Sequence, residues 1–136
     1  MDLAITSKTF GSDKLDWMFT EHGAGSALSI TLKGTGFTGT YADGNVPSGV
    51  PLAKITATGL YTLYDNVTAA AGDVLAGFLL TPQAVLGDDG ATHDVGGALL
   101  LHGFIKEAKL PAYWAALGGT NIAAGKVDVG SRLVFV

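Results

Sequence analysis

Between Asp43 and Asp65 the chain reads DGNVPSGVPLAKITATGLYTLYD, and this stretch constrains the fold more than any other. Asp43-Gly44-Asn45 and Pro47-Ser48-Gly49 are two turn clusters in close succession. Gly supplies the positive φ that such turns need, and Pro presets its own φ. Val50 to Thr56 then carries β-branched and apolar residues, with Lys54 as its only charge. Thr58-Gly59 breaks the run, and Leu60 to Tyr64 resumes it with two tyrosines and two leucines. Two short apolar runs joined by a Gly-containing break predict a β-hairpin.

Composition agrees with a chain of short strands. The 136 residues predict one domain; 20 are Gly, and only 15% are charged. A typical domain has about 25% charged residues and about 7% Gly, roughly half the Gly share of this chain. So little charge also fits a protein that covers part of its surface in an assembly. The net charge is −4, and the eight Lys and Arg are scattered from Lys8 to Arg132. Phosphate neutralisation needs a basic patch, so nucleic acid is set aside as a partner. Cys is absent, which excludes disulfides and thiolate metal sites. No apolar run approaches the ~18 residues of a membrane helix, and Met1-Asp2 opens no secretory signal. Asn66-Val67-Thr68 matches the glycosylation pattern, a chance match without a secretory route.

Residues 1–25 form the first unit. They hold Asp2, Lys8, Asp13, Lys14, Asp16 and Glu21, with apolar residues in separated spots: Leu3 and Ile5, Phe10, then Leu15, Trp17, Met18 and Phe19. Gly23-Ala24-Gly25-Ser26 closes the segment as a joint. Two readings stand. The segment is an extended arm and linker whose apolar side chains need a surface elsewhere, or it is the domain's first strand with Trp17 in the core.

Residues 26–136 form the second unit, a β-rich domain. Leu28, Ile30 and Leu32 alternate with Ser29, Thr31 and Lys33, the pattern of a half-buried strand. Gly34 to Gly44 is a Gly/Thr loop with Phe37 and Tyr41 as packing points, and Asn66 to Asp73 is a small-residue connection with room for one helical turn. Val74 to Leu80 is predicted as a strand buried on both faces, and Ala98 to Ile105 as a second. Glu107 to Leu117 holds the one predicted helix, with Pro111 in its first turn and Gly118-Gly119 as its stop. Residues 120–130 read as a turn-rich return, and Arg132 to Val136 as a final strand. The expectation is a mainly β fold, a small barrel or sandwich of about six short strands with one short helix and an extended N-terminal arm.

Few residues invite chemistry. Asp88, Asp89, His93 and Asp94 crowd one loop without the alternating acids and closing Glu of a calcium loop, so a solvated loop is expected. His102 lies in an apolar run with no triad partner beside it, which favours a hydrogen-bonded core or interface residue over a catalyst. Asp43, Asp65 and Asp73 sit beside turn residues, where their carboxylates bond to nearby backbone N–H groups. A carrier-domain reading of Val46 to Ile55 is disfavoured because Lys54 is inside a strand, away from the Thr58-Gly59 tip. No catalytic residue, cofactor or metal is expected, and the chain does not read as an enzyme.

Taken in order, the motifs resemble a family. Val46-Pro47-Ser48-Gly49, Leu52-Ala53-Lys54, Thr56-Ala57-Thr58-Gly59, Tyr61, Tyr64-Asp65 and Ala76-Gly77-Phe78-Leu79 are similar to the head decoration proteins of tailed bacteriophages, the lambda protein D type. So are Asp94-Val95-Gly96-Gly97-Ala98-Leu99-Leu100, His102-Gly103, Glu107 and Leu110-Pro111. The resemblance covers residues 28–136; the N-terminal segment does not match residue for residue. It implies a β-clip-like bent ribbon, a homotrimer, and a structural virion protein. Such a protein is made in the host cytoplasm and binds the major capsid protein at three-fold sites on the outer surface of the head. By analogy, residues 1–25 become a capsid-binding arm with Leu3, Ile5, Phe10, Trp17 and Phe19 as anchors. The alternative is a small-molecule or glycan-binding module in which Tyr113 and Trp114 stack on a sugar.

Overall fold

The computed structural model describes residues 16–19, 25, 27–65 and 74–136. Among them the fold is mainly β, around a small closed barrel. Its staves are β1 (Leu28–Leu32), β3 (Pro51–Lys54), β4 (Tyr61–Leu63), β5 (Leu75–Leu79) and β7 (Val95–Leu100), in the order β1-β4-β3-β5-β7. β7 closes back onto β1 in an antiparallel ladder from Leu28↔Leu99 to Leu32↔Val95. Within the barrel, the β1–β4 seam is the one parallel contact, at Leu32↔Tyr61. Two-residue strands β2 (Asn45–Val46) and β6 (Gln83–Ala84) pair outside the barrel.

The predicted hairpin forms. β3 and β4 are antiparallel, with Leu52↔Leu63, Ala53↔Thr62 and Lys54↔Tyr61 in register. The Ile55 carbonyl accepts from Gly59 N at 2.8 Å, and Gly59 takes φ 75°, which L side chains rarely adopt. The Gly/Thr loop behaves as expected as well: Phe37 is fully buried and Tyr41 packs against the same core. Burial and the neighbouring Tyr113 push the Tyr41 phenol up to about 12.

Two cores meet across the barrel wall. Inside are Ile30, Leu32, Leu52, Leu63, Leu79 and Leu99, closed at the ends by Phe37, Val46, Val50 and Val85. The outer side of β3, β5 and β7 contributes Ala53, Leu75, Phe78 and Leu100 to a second core. β5 is therefore buried on both faces, as its continuous apolar run predicts. Leu75 and Phe78 share one core although they are three residues apart. A register shift between Leu52 and Ala53 accounts for it: Leu52 pairs with Gly77 but Ala53 with Leu75, so Ala76 is the extra residue of a bulge.

Helices and a ribbon cover the second core, and here three expectations change. The single helix expected over 107–117 is a 3-10 turn, Glu107–Lys109, followed by a short helix α1 (Ala112–Ala116). The return expected at 120–130 is instead helix α2 (Gly119–Val129). The stop expected at Gly118-Gly119 holds for α1, which ends at Ala116, and Gly118, at φ 86°, turns the chain into α2. At Gly125 a Cβ would sit 3.1 Å from Leu75 and 3.2 Å from Tyr64, so glycine lets α2 lie close on the barrel. The strand expected over 98–105 breaks at Leu101-His102 into β7 and β8 (Gly103–Ile105). β8 pairs in parallel with β9 (Leu133–Phe135), the predicted C-terminal strand.

Candidate interaction surface

The chain segment Trp17–Phe19 adds an antiparallel third strip to the β8–β9 ribbon. Met18 bridges Ile105, Phe19 N donates to the Phe104 carbonyl at 3.0 Å, and Lys106 N donates to the Trp17 carbonyl at 2.6 Å. Regular alternation would put Trp17 and Phe19 on one face; the turn at Asp16-Trp17 breaks it, so Trp17 points inward and is 1% exposed, whereas Phe19 points outward and is 55% exposed.

A socket for the Trp17 indole is built by the Pro47-Ser48-Gly49 turn. Nε1 donates to Ser48 Oγ at 3.0 Å, and that hydroxyl donates onward to the Leu80 carbonyl at 2.7 Å. Gly49 holds φ 91°, and a Cβ on it would lie 3.0 Å from the indole nitrogen and 2.9 Å from Pro111 Cδ. The Phe78 ring lies 6.1 Å from the indole, in a cluster with Trp114 at 5.4 Å and Phe135 at 6.0 Å. Of the two readings of this segment, Trp17 follows the core one. It is a tether within its own domain, and its indole is not presented to a partner. Of the other expected anchors, Phe19 is exposed, whereas Leu3, Ile5 and Phe10 lie outside the described residues, as does the connection 66–73.

Alternation along β8 and β9 lines up the outer face of the ribbon. Phe19 sits beside Phe104, with ring centroids 6.5 Å apart in an edge arrangement. Phe104 is in register with Val134. Phe104 is 38% exposed, Val134 41% and Val136 59%. The Lys106 ammonium stands 5.6 Å over the Phe19 ring. The result is an apolar row across three strips with one cation on it. Sequence reading flagged Phe19 but missed Phe104 and Val134, because the β8–β9 pairing that joins them is non-local.

Polar groups elsewhere serve the fold. His93 Nε2 lies 3.2 Å from both Asp89 carboxylate oxygens. The backbone N–H of Ala91, then the His93 side chain, hold the Asp89 pKa below its usual value. Asp94 leaves that loop to accept from Gly34 N at 3.0 Å. Among the described residues, no three His, Asp or Glu side chains gather as metal ligands do. His102 lies exposed in the bend between β7 and β8, and not within a strand as its apolar neighbours implied. Asp43 accepts from Asn45 N at 3.0 Å, the local turn bond expected of it.

Trp114 is buried in the second core, where it stacks on Phe135 at 5.7 Å with 6° between the planes. Tyr113 spends its hydroxyl on the Tyr64 carbonyl at 2.9 Å. A sugar-stacking platform on these two residues is therefore not presented. Glu107 joins the ribbon to the helices by accepting from Trp114 Nε1 at 3.1 Å and Lys126 Nζ at 2.9 Å. No protein-family model and no curated protein matches this chain.

Proposed function

We propose that this protein is a trimeric capsid decoration protein, a structural component that binds the outer surface of a bacteriophage head at three-fold sites and stabilises the shell. The sequence resemblance over residues 28–136 motivates the reading. The observation that carries it is the exposed apolar row Phe19–Phe104–Val134 at the root of the N-terminal segment. Aromatic side chains exposed together on a small domain favour an interaction surface over isolated chance exposure.

The physical rationale is mechanical. A shell under internal pressure fails where its subunits separate, and a trimer that contacts several subunits adds attachments across those seams. Residues 1–15 supply Leu3, Ile5 and Phe10 as anchors, and Phe19 follows at the root. An extended segment adds to an exposed sheet edge by main-chain hydrogen bonds, with alternate side chains giving specificity. Three such segments acting together convert weak individual affinity into strong attachment. The test is binding of purified protein to expanded heads that lack it, with the bound copies counted. Saturation at the number of capsid subunits or of three-fold sites supports the reading, and failure to bind removes it.

A further inference from the structure

We infer that Asp89-Gly90 is a site of spontaneous covalent modification, where the folded chain closes to a succinimide and reopens as isoaspartate, with His93 as a group that slows it. The reaction needs a carboxyl whose following backbone nitrogen is open to attack, and a glycine in the next position leaves that nitrogen least hindered. The sequence has two such steps, Asp43-Gly44 and Asp89-Gly90. The fold treats them differently. Gly44 is buried, a Cβ on it would run into Leu86, and its carbonyl accepts from Val85 N at 2.8 Å. The next residue, Asn45, begins β2 and pairs with Ala84. Swinging the Gly44 nitrogen onto the Asp43 carboxyl would break that pairing and the packing behind it.

Asp89-Gly90 is instead the tip of a turn closed by the Leu86↔Thr92 bridge. Gly90 N donates to the Gly87 carbonyl at 3.0 Å, both tip residues are exposed, and a Cβ on Gly90 would meet no atom within 4 Å. Exposed turn tips open locally at little cost. Two contacts oppose the reaction. The Asp89 carboxylate accepts from Ala91 N at 3.0 Å, and His93 Nε2 lies 3.2 Å from both of its oxygens. They hold the group ionised, whereas only the protonated carboxyl loses its hydroxyl readily. The step needs no co-reactant but water. The Gly90 nitrogen attacks Asp89 Cγ, the N–Cγ bond forms, and the Cγ hydroxyl leaves as water with the amide proton. Water then opens the ring at Cγ, which restores aspartate, or at the Asp89 backbone carbonyl, which leaves the chain running through Cβ and Cγ. Either opening brings in one solvent oxygen.

The experiment incubates the full-length protein at neutral pH in heavy-oxygen water, beside the same protein unfolded in urea. Both are then digested in ordinary water, and peptide mass spectrometry locates the incorporated oxygen. The folded protein is expected to take up heavy oxygen at Asp89 and none at Asp43, and the unfolded chain at both. Asp89→Glu is expected to lose the uptake at that position, because the larger ring closes far more slowly. His93→Ala is expected to raise the Asp89 rate by about twofold or more, with an unchanged circular dichroism spectrum. Folded-state uptake at Asp43 equal to that at Asp89 overturns the inference. So does uptake at neither in the folded protein while the unfolded chain reacts at both. A His93→Ala rate at or below that of the wild type overturns the part given to His93.

Discussion

Trp17 and Ser48, 31 positions apart in the chain, meet in the interior, with the indole nitrogen donating to the hydroxyl across 3.0 Å. Ser48 in turn donates to the Leu80 carbonyl, so one buried hydroxyl links the leading segment, the turn before β3 and the end of β5. Trp17→Ala opens a large cavity and is expected to cost about 3–5 kcal/mol. Trp17→Phe keeps much of the volume and leaves Ser48 its own donation, so about 1–3 kcal/mol is expected. Urea unfolding followed by circular dichroism measures both. A cost below about 1 kcal/mol for Trp17→Ala would contradict the tether.

Gly49 is predicted to be coupled to that tether. Its φ of 91° disfavours any side chain, and an added Cβ meets the indole nitrogen at 3.0 Å. Gly49→Ala is expected to cost about 1–3 kcal/mol through strain and overpacking. In the Trp17→Ala background the overpacking against the indole disappears and only the φ strain and the Pro111 contact remain. The double-mutant cycle is therefore expected to give about 0.5 kcal/mol or more of coupling. Strict additivity would show that the indole does not occupy this socket.

Glu107 sets a pH dependence. Desolvation alone raises its pKa, but the Lys126 and Trp114 donors outweigh that and hold it below the usual glutamate value. A depressed folded-state pKa contributes stability above the unfolded value, and the contribution is lost as pH falls through the folded one. Glu107→Gln is thus expected to lower stability at neutral pH, by under about 1 kcal/mol because the pair is partly solvated. The gap between variant and wild type should close as the pH falls below about 4. Thermal melts across pH 3–7 measure this, and a gap that stays constant to low pH would rule out the ion pair as its source.

Truncation results are expected to depend sharply on where the cut falls. Removing residues 1–15 spares Trp17, so the domain should melt as the full chain does while capsid binding is lost. Removing residues 1–19 takes away the tether and the outer strip of the ribbon, and should destabilise the fold by several kcal/mol, about the cost of a buried Trp. Equal melting temperatures for the two truncations would contradict the placement of Trp17. Full capsid binding by the shorter truncation would remove the segment from the contact.

Local signals in the sequence were enough for the β3–β4 hairpin, the doubly buried β5 and the packing of Phe37. Each rests on neighbours within a few positions: turn residues, an unbroken apolar run, an aromatic in a glycine loop. The misses have physical causes of two kinds. Residues 120–130 read as a turn-rich return, yet they form α2, and Gly125 is where that helix must approach Tyr64 and Leu75 closely. The ribbon depends on pairing Gly103–Ile105 with Leu133–Phe135, and neither strand's spacing specifies that parallel partner. The Trp17 socket was half legible. A tryptophan needing burial was evident, but nothing local pointed to Ser48 and Gly49 as its walls.

The most direct test of the central claim is the number of copies of the full-length protein that bind expanded phage heads lacking it, measured by gel densitometry against the major capsid protein. The account predicts saturable binding at a copy number equal to the capsid subunits, or three per three-fold site, and loss of that binding when residues 1–15 are removed. A protein that remains folded and leaves every expanded head bare would contradict it.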